Sequence, residues 1–175
     1  MRVADAVWQT LKQYTDCVFM LPGGGAMHLV DALGRSGLRY VPMLHEQGAA
    51  LAACGYAGIS GKLGVVLVTS GPGATNAITG CATAWTDSFP VLFLSGQTAK
   101  SQFSDKVRTS GVQSVNIVPV VKPITKRAYQ LIFGNHMNGQ DVRDDIHELA
   151  QLCMEGRPGP CWLDIPVDVQ GEVVE

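Results

Sequence analysis

Residues 64–69 read GVVLVT, a run with no polar side chain before its closing threonine. A strand that alternates apolar and polar residues can leave one face in water, and this one cannot. Both of its faces need cover, which calls for helices above and below a largely parallel sheet. Shorter strands read at 17–21 (CVFML), 38–44 with Pro42 inside, 90–95 (PVLFLS), 124–129 and 161–165. Helices read at 3–14, 26–35, 46–60, 74–85 and 141–155, with a short one at 112–121. The alternation predicts an α/β fold, a doubly wound, mainly parallel sheet of about six strands with helices on both faces. One domain is expected over 1–170, with 171–175 opening a linker or tail. On this topology ligands sit at the carboxyl ends of the strands.

Four segments follow strands and therefore share that edge: PGGG at 22–25, His45-Glu46, SGPG at 70–73, and the polar stretch 96–111. Glycines there let a ligand approach the backbone, and helix N-termini offer unpaired N–H groups. Each turn is equally readable as ordinary strand-to-helix punctuation. Neither is a phosphate cradle of the common kinds. Gly23-Gly24-Gly25 is followed by Ala26-Met27-His28, which breaks the GxGxxG pattern, and GPGATN lacks the Lys-Ser/Thr ending of a Walker loop.

Glu46 stands out because it is the only acid between Asp31 and Asp87. It opens a helix of alanines and glycines, where a carboxylate costs desolvation free energy unless something hydrogen-bonds it. The plain alternative is a first-turn acid favoured by the helix dipole, worth some tenths of a kcal/mol. Gly55 and Gly58 within that helix each cost about 1 kcal/mol against alanine, so another backbone is expected to pack closely on it, from a second subunit. His45 reads as structural or supporting. His28, His136 and His147 show no metal-ligand spacing, and no metal site is expected. Ser70 does not stand in a GxSxG nucleophile elbow.

Composition removes other classes. Thirteen basic and fifteen acidic residues are scattered without a phosphate-binding patch, so no nucleic acid partner is expected. No run approaches membrane-spanning length, and the N-terminus lacks the apolar core of a signal peptide. Five cysteines without CxxC spacing read as reduced core residues of a cytoplasmic protein. Only 16% of residues are charged, which points to surface covered by partners.

Six blocks in order carry a resemblance: LPGG at 21–24, HEQGAALAACGYA at 45–57, TSGPGATN at 69–76, SGQ at 95–97, PITK at 123–126 and GRPGPCWLDIPVDVQ at 156–170. Together they resemble the N-terminal pyrimidine-binding domain of thiamine diphosphate-dependent enzymes of the acetolactate synthase, pyruvate oxidase and 2-oxo acid decarboxylase type. The resemblance implies a lyase or transferase that makes or breaks C–C bonds beside a carbonyl. It implies that Glu46 hydrogen-bonds N1′ of the cofactor's aminopyrimidine and so promotes removal of the thiazolium C2 proton. It further implies that Pro22 and Gly23 wall the aminopyrimidine, that Thr69, Pro72 and Asn76 line its pocket, and that Gln113 points to the reacting centre.

In that family the diphosphate and Mg2+ are held by a separate domain with a GDG…N motif, and this chain contains no GDG. The resemblance therefore implies a chain inactive alone, partnered by a diphosphate-binding domain of the same enzyme or of a partner subunit, in a homodimer or tetramer. A truncated N-terminal domain and a stand-alone subunit of a split enzyme both fit. The implied substrate is a small 2-oxo acid or ketone. Val112-Gln113-Ser114 departs from the phenylalanine that acetolactate synthases usually place before the glutamine, and no two histidines are neighbours as in pyruvate decarboxylase-type enzymes. The loop KSQFSDKVRTSGVQSVN resembles members acting on sugar-derived or cyclic ketones. Two readings compete: a non-catalytic α/β interaction subunit that assembles through its small-residue helix, and a nucleotide-binding Rossmann module.

Overall fold

A computed structural model describes residues 1–104, 107, 110–132 and 138–175. The strands are β1 (Cys17–Met20), β2 (Arg39–Pro42), β3 (Gly64–Val68), β4 (Val91–Gln97), β5 (Arg127–Gln130) and β6 (Cys161–Pro166). The helices are α1 (Val3–Leu11), α2 (Met27–Ser36), α3 (Glu46–Ser60), α4 (Pro72–Asn76), α5 (Ile78–Thr86), α6 (Ile117–Val121), α7 (Gly139–Met154) and α8 (Val167–Gly171). The strands form one sheet in the order β2-β1-β3-β4-β6-β5, and every neighbouring pair is parallel. The order reverses between β1 and β3, so helices wind onto both faces and a crevice opens at the carboxyl ends there.

The apolar run becomes β3, near the centre of the sheet and buried throughout. Its alternating side chains explain why no polar residue is tolerated. Val65 and Leu67 join a core with α1, α2 and α7, while Val66 and Val68 join a second core with α3, α5 and α6. Strand β4 divides in the same way, Leu92 and Leu94 to the first core and Val91 and Phe93 to the second. Trp162 of β6 stacks on Phe93 with ring centroids 4.9 Å apart. Burial of large side chains on this scale, at about 1.5–3 kcal/mol each, dominates the stability of such a sheet.

Pro42 ends β2 rather than interrupting it. Because β2 is an edge strand paired only with β1, the missing N–H costs no ladder bond. Helix α7 begins at Gly139, two residues before the expected start, because Asn138 is its cap. The Asn138 side chain accepts from the Gln140 and Asp141 amides at 2.7 and 3.1 Å, and Asp141 accepts from the Asn138 amide at 2.8 Å. The polar segments expected at 96–111 and 135–140 lie partly outside the described residues, as does His136.

One expectation changes. The single helix expected at 74–85 is broken at Ala77, whose amide bonds the Ala74 carbonyl at 3.2 Å with the tighter i−3 spacing. The glycines of α3 do not share one neighbour: Gly58 meets the Phe89 side chain of this same chain, Gly55 is exposed with no heavy atom within 4 Å of an added Cβ, and the alanine face of α3 packs on α5 and β3. A Cβ at Gly80 of α5 would fall 2.2 Å from Ala50 Cβ, and one at Gly64 of β3 would fall 2.6 Å from the Ala53 carbonyl oxygen. The residues after Pro166 pack onto the domain. They form α8, Val174 is buried, and its amide bonds the Met1 carbonyl at 2.8 Å. No helix among the described residues is long and apolar enough to cross a membrane.

Candidate functional site

The carboxyl ends of β1 and β3 bring the two glycine turns into contact. The Leu21 amide bonds the Leu67 carbonyl at 3.1 Å, carrying the ladder one residue past β1 and setting Pro22 and Gly23 over the end of β3. Gly23 rests on Thr69, where an added Cβ would fall 2.5 Å from Thr69 Cβ. Thr69 Oγ1 in turn accepts from the Gly25 amide at 3.1 Å. The first turn is thus fitted to the second, and a side chain at position 23 would separate them.

Past Thr69 the backbone turns at Gly71, with φ 54° and ψ −108°. A Cβ there would lie 2.1 Å from the Val112 carbonyl oxygen, so both the conformation and the close approach require glycine. Ser70 Oγ donates to Gln113 Oε1 at 3.1 Å. The turn Gly111–Ser114, which carries Gln113, is therefore held against the second glycine turn. Pro72 then opens α4 in its first turn, where its missing N–H is no loss.

Glu46 is the first residue of α3 and only 7% exposed. His45 caps the helix, its Nδ1 accepting from the Gln47 amide at 3.2 Å. That engages the ring in structure and leaves Glu46 as the acid of the site. Asn76 Nδ2 donates to Glu46 Oε2 at 3.0 Å. The break at Ala77 makes Asn76 the last residue of α4, which is how a residue thirty positions away meets the start of α3. Glu46 Oε1 receives no hydrogen bond among the described residues and keeps some contact with solvent, since no fully enclosed side-chain polar atom there lacks a partner. Gly73 faces it, and a Cβ added there would stand 3.4 Å from Oε1 and 2.8 Å from Thr69 Cγ2.

The residues singled out from sequence fall into three groups. Gly23, Thr69, Glu46 and Asn76 converge. Gln113 joins them through Ser70, not through Glu46. Pro22, exposed beside Gly23, and Pro72, at the head of α4, flank the group. The sequence reading left out Gly73 and weighed Ser70 only as a nucleophile, although both lie in the SGPG turn. The cue was available for Gly73, since a second glycine three residues before Asn76 has no role in ending or starting α4.

A second polar cluster lies on the same sheet face and was not anticipated. Asp164 of β6 is fully buried. Its Oδ1 accepts from Ser95 Oγ at 2.6 Å, and its Oδ2 accepts from Gln97 Nε2 at 3.1 Å and Gln130 Nε2 at 3.0 Å. Burial pushes its carboxyl up to about 6, against the opposing pull of the bonds from Ser95, Gln130 and Gln97. The signal in the sequence was the single acid inside the strand CWLDIP.

The chemistry available at the edge is that of one enclosed carboxylate, oriented by an amide on one oxygen and open on the other. Such a group suits a ring nitrogen that shares a proton, and it sits beside a glycine packed closely on Thr69. No group of three or more His, Cys, Asp or Glu side chains among the described residues is arranged to hold a metal ion. The five cysteines are free and buried, and burial pushes the Cys54 thiol to about 11, so it is a poor nucleophile at neutral pH.

Comparison with known proteins shows the family of the chain. The family model for the thiamine pyrophosphate enzyme N-terminal TPP binding domain matches residues 1–120. The acetolactate synthase large subunit of Lactococcus lactis is 41% identical over 168 residues, covering 95% of this chain and 28% of that protein. The chloroplastic acetolactate synthase of Arabidopsis thaliana is 40% identical over 172 residues, covering 97% and 24%. A probable acetolactate synthase large subunit of Methanocaldococcus jannaschii is 37% identical over 175 residues, covering 99% and 28%. The chain thus spans about a quarter of the length of these relatives.

Proposed function

The chain belongs to the N-terminal TPP-binding domain family of thiamine pyrophosphate enzymes, and from that premise we propose that Glu46 activates the aminopyrimidine of thiamine diphosphate. The observation that carries this reading is the state of the Glu46 carboxylate. It is buried at a helix start, its Oε2 is held by Asn76, and its Oε1 is open beside Gly73. A carboxylate held this way binds a protonated ring nitrogen through a charge-assisted bond worth about 1.5–3 kcal/mol. Gly23 and Gly73 supply the walls with Thr69 between them, since a Cβ on either glycine would fall within 3 Å of the Thr69 side chain. Pro22 and Pro72 stiffen the two turns. Asn76 fixes which oxygen of Glu46 faces the ring.

When bound, thiamine diphosphate supplies a carbon nucleophile that adds to a carbonyl and takes up the electrons of the adjoining C–C bond. What this chain adds is a proton held at Glu46 Oε1, orientation of the aminopyrimidine and, through Gln113, a polar group toward the substrate. The diphosphate and Mg2+ call for a partner domain carrying the GDG motif that this chain lacks. The chain alone is then inactive, and the working unit is a homodimer or tetramer in which that partner domain closes over Glu46. The names of the relatives support an acetolactate synthase-like reaction on a 2-oxo acid. Val112 before Gln113 widens the class to other ketones. Five free cysteines accord with a reducing compartment, the cytoplasm.

The competing reading, a non-catalytic interaction subunit, drew on the small-residue face of α3. Its buried alanines pack against α5 and β3 of the same chain, whereas Gly55 on the outer side is exposed with no heavy atom within 4 Å of an added Cβ. A cofactor analogue with CH in place of N1′ separates the two readings. The holoenzyme should bind it at least tenfold more weakly than thiamine diphosphate, and Glu46→Ala should erase that difference. Equal binding of both compounds by the unaltered holoenzyme would end the Glu46 assignment.

A further inference from the structure

Asp164 carries a carboxylate into the sheet interior with no cation beside it among the described residues. The groups that act on it are Ser95 and Gln97 of β4 and Gln130 of β5, all neutral. A buried charge without a counter-ion costs several kcal/mol, and replacing such groups by apolar side chains is often neutral or stabilising. Packing alone does not call for an aspartate here. One thing the carboxylate does is orient the Gln97 amide.

Gln97 Nε2 has two hydrogens. One goes to Asp164 Oδ2 at 3.1 Å and the other to the Val115 carbonyl at 3.0 Å, while Gln97 Oε1 accepts from the Thr98 amide at 3.0 Å. The amide is therefore locked, and its outward hydrogen grips the backbone two residues after Gln113. Val115 ends the turn Gly111–Ser114. At the other side of that turn, Gly71 packs on the Val112 carbonyl and Ser70 holds the Gln113 side chain.

We propose that Asp164 and Gln97 are positioning residues, which pin Val115 and so set how far Gln113 reaches toward the Glu46 pocket. This rests on the reading of Glu46 and Gln113 given above. Neither Asp164 nor Gln97 touches Glu46. Their effect passes through the backbone of one short turn.

The test uses the holoenzyme with Gln97→Ala, Asp164→Ala and Asp164→Asn. Asparagine at 164 still accepts from Gln97 and Gln130 on its oxygen, while its amide donates to Ser95. Gln97→Ala and Asp164→Ala are expected to lower pyruvate turnover at saturating thiamine diphosphate at least tenfold, and Asp164→Asn to stay within threefold. Exchange of the cofactor C2 proton, which depends on Glu46 and not on Gln113, should stay within twofold in all three. Amide hydrogen exchange across 111–121 supplies a readout that needs no substrate. It should accelerate at least fivefold in Gln97→Ala and be unchanged in Asp164→Asn.

Gln97→Ala decides the matter alone if Asp164→Ala does not fold, and amide exchange decides it alone if pyruvate is not turned over. Unaltered exchange across 111–121 in Gln97→Ala overturns the proposal, and so does equal loss of turnover and C2-proton exchange. A Glu46→Gln holoenzyme that keeps full C2-proton exchange would instead mark failure of the underlying site reading.

Discussion

Asn76 and Glu46 stand thirty residues apart in sequence and share a hydrogen bond of 3.0 Å, from the amide of one to the carboxylate of the other. The bond exists because α4 stops at Asn76 and α3 starts at Glu46, and both ends lie at the same edge of the sheet. It leaves one carboxylate oxygen committed and the other available. Asn76→Ala should therefore lower turnover about tenfold, equivalent to about 1.4 kcal/mol. Because Asn76 is itself exposed, the fold should tolerate the change. Asn76→Asp sets a second carboxylate against Glu46 and should weaken cofactor binding further through like-charge repulsion. Steady-state kinetics with parallel cofactor titration checks both.

Gly71 and Gly24 form a matched pair for testing the turns. An alanine at 71 meets a φ of 54° and the Val112 carbonyl, whereas an alanine at 24 has no heavy atom within 4 Å. Gly71→Ala should cost about 2–3 kcal/mol of stability. Gly24→Ala should stay within about 0.5 kcal/mol of the parent. Urea unfolding of the two variants measures the contrast.

Asp164 gives stability a pH dependence of defined sign. Its carboxyl lies at about 6 in the folded chain against an ordinary 3.8. The folded state therefore holds a proton that the unfolded chain has already released between those values. Stability from this group is greatest below about pH 4, falls as pH rises to about 6, and is level above it, a change of about 3 kcal/mol. Asp164→Asn removes that slope. Urea midpoints of parent and variant at pH 4, 5, 6 and 7 should diverge as pH rises, in the variant's favour.

Much of this architecture was readable in advance because it depends on local pattern. An unbroken apolar strand demands two covered faces, and residues 64–68 became the fully buried β3. An acid before a run of alanines marks a helix start, and α3 spans Glu46–Ser60 as expected. What escaped depends on contacts between distant segments. The break at Ala77 is one residue of tighter turn inside a good helical pattern, yet it sets Asn76 against Glu46. Asp164 was hidden inside a strand because its partners, Ser95, Gln97 and Gln130, come from two other strands. The glycines of α3 suggested an outside backbone, yet Gly58 meets the Phe89 side chain and Gly55 faces open space, a difference that nothing local in the sequence marks.

The central claim is that Glu46 holds the proton through which the cofactor is activated. It is tested most directly by exchange of the thiazolium C2 proton for deuterium in the holoenzyme, read by proton NMR after acid quench. Glu46→Gln keeps the shape and the bond from Asn76 but removes the acidic proton site. Exchange in that variant should fall at least a hundredfold, with thiamine diphosphate still bound. Exchange at the parent's rate, with the cofactor bound, would contradict the account.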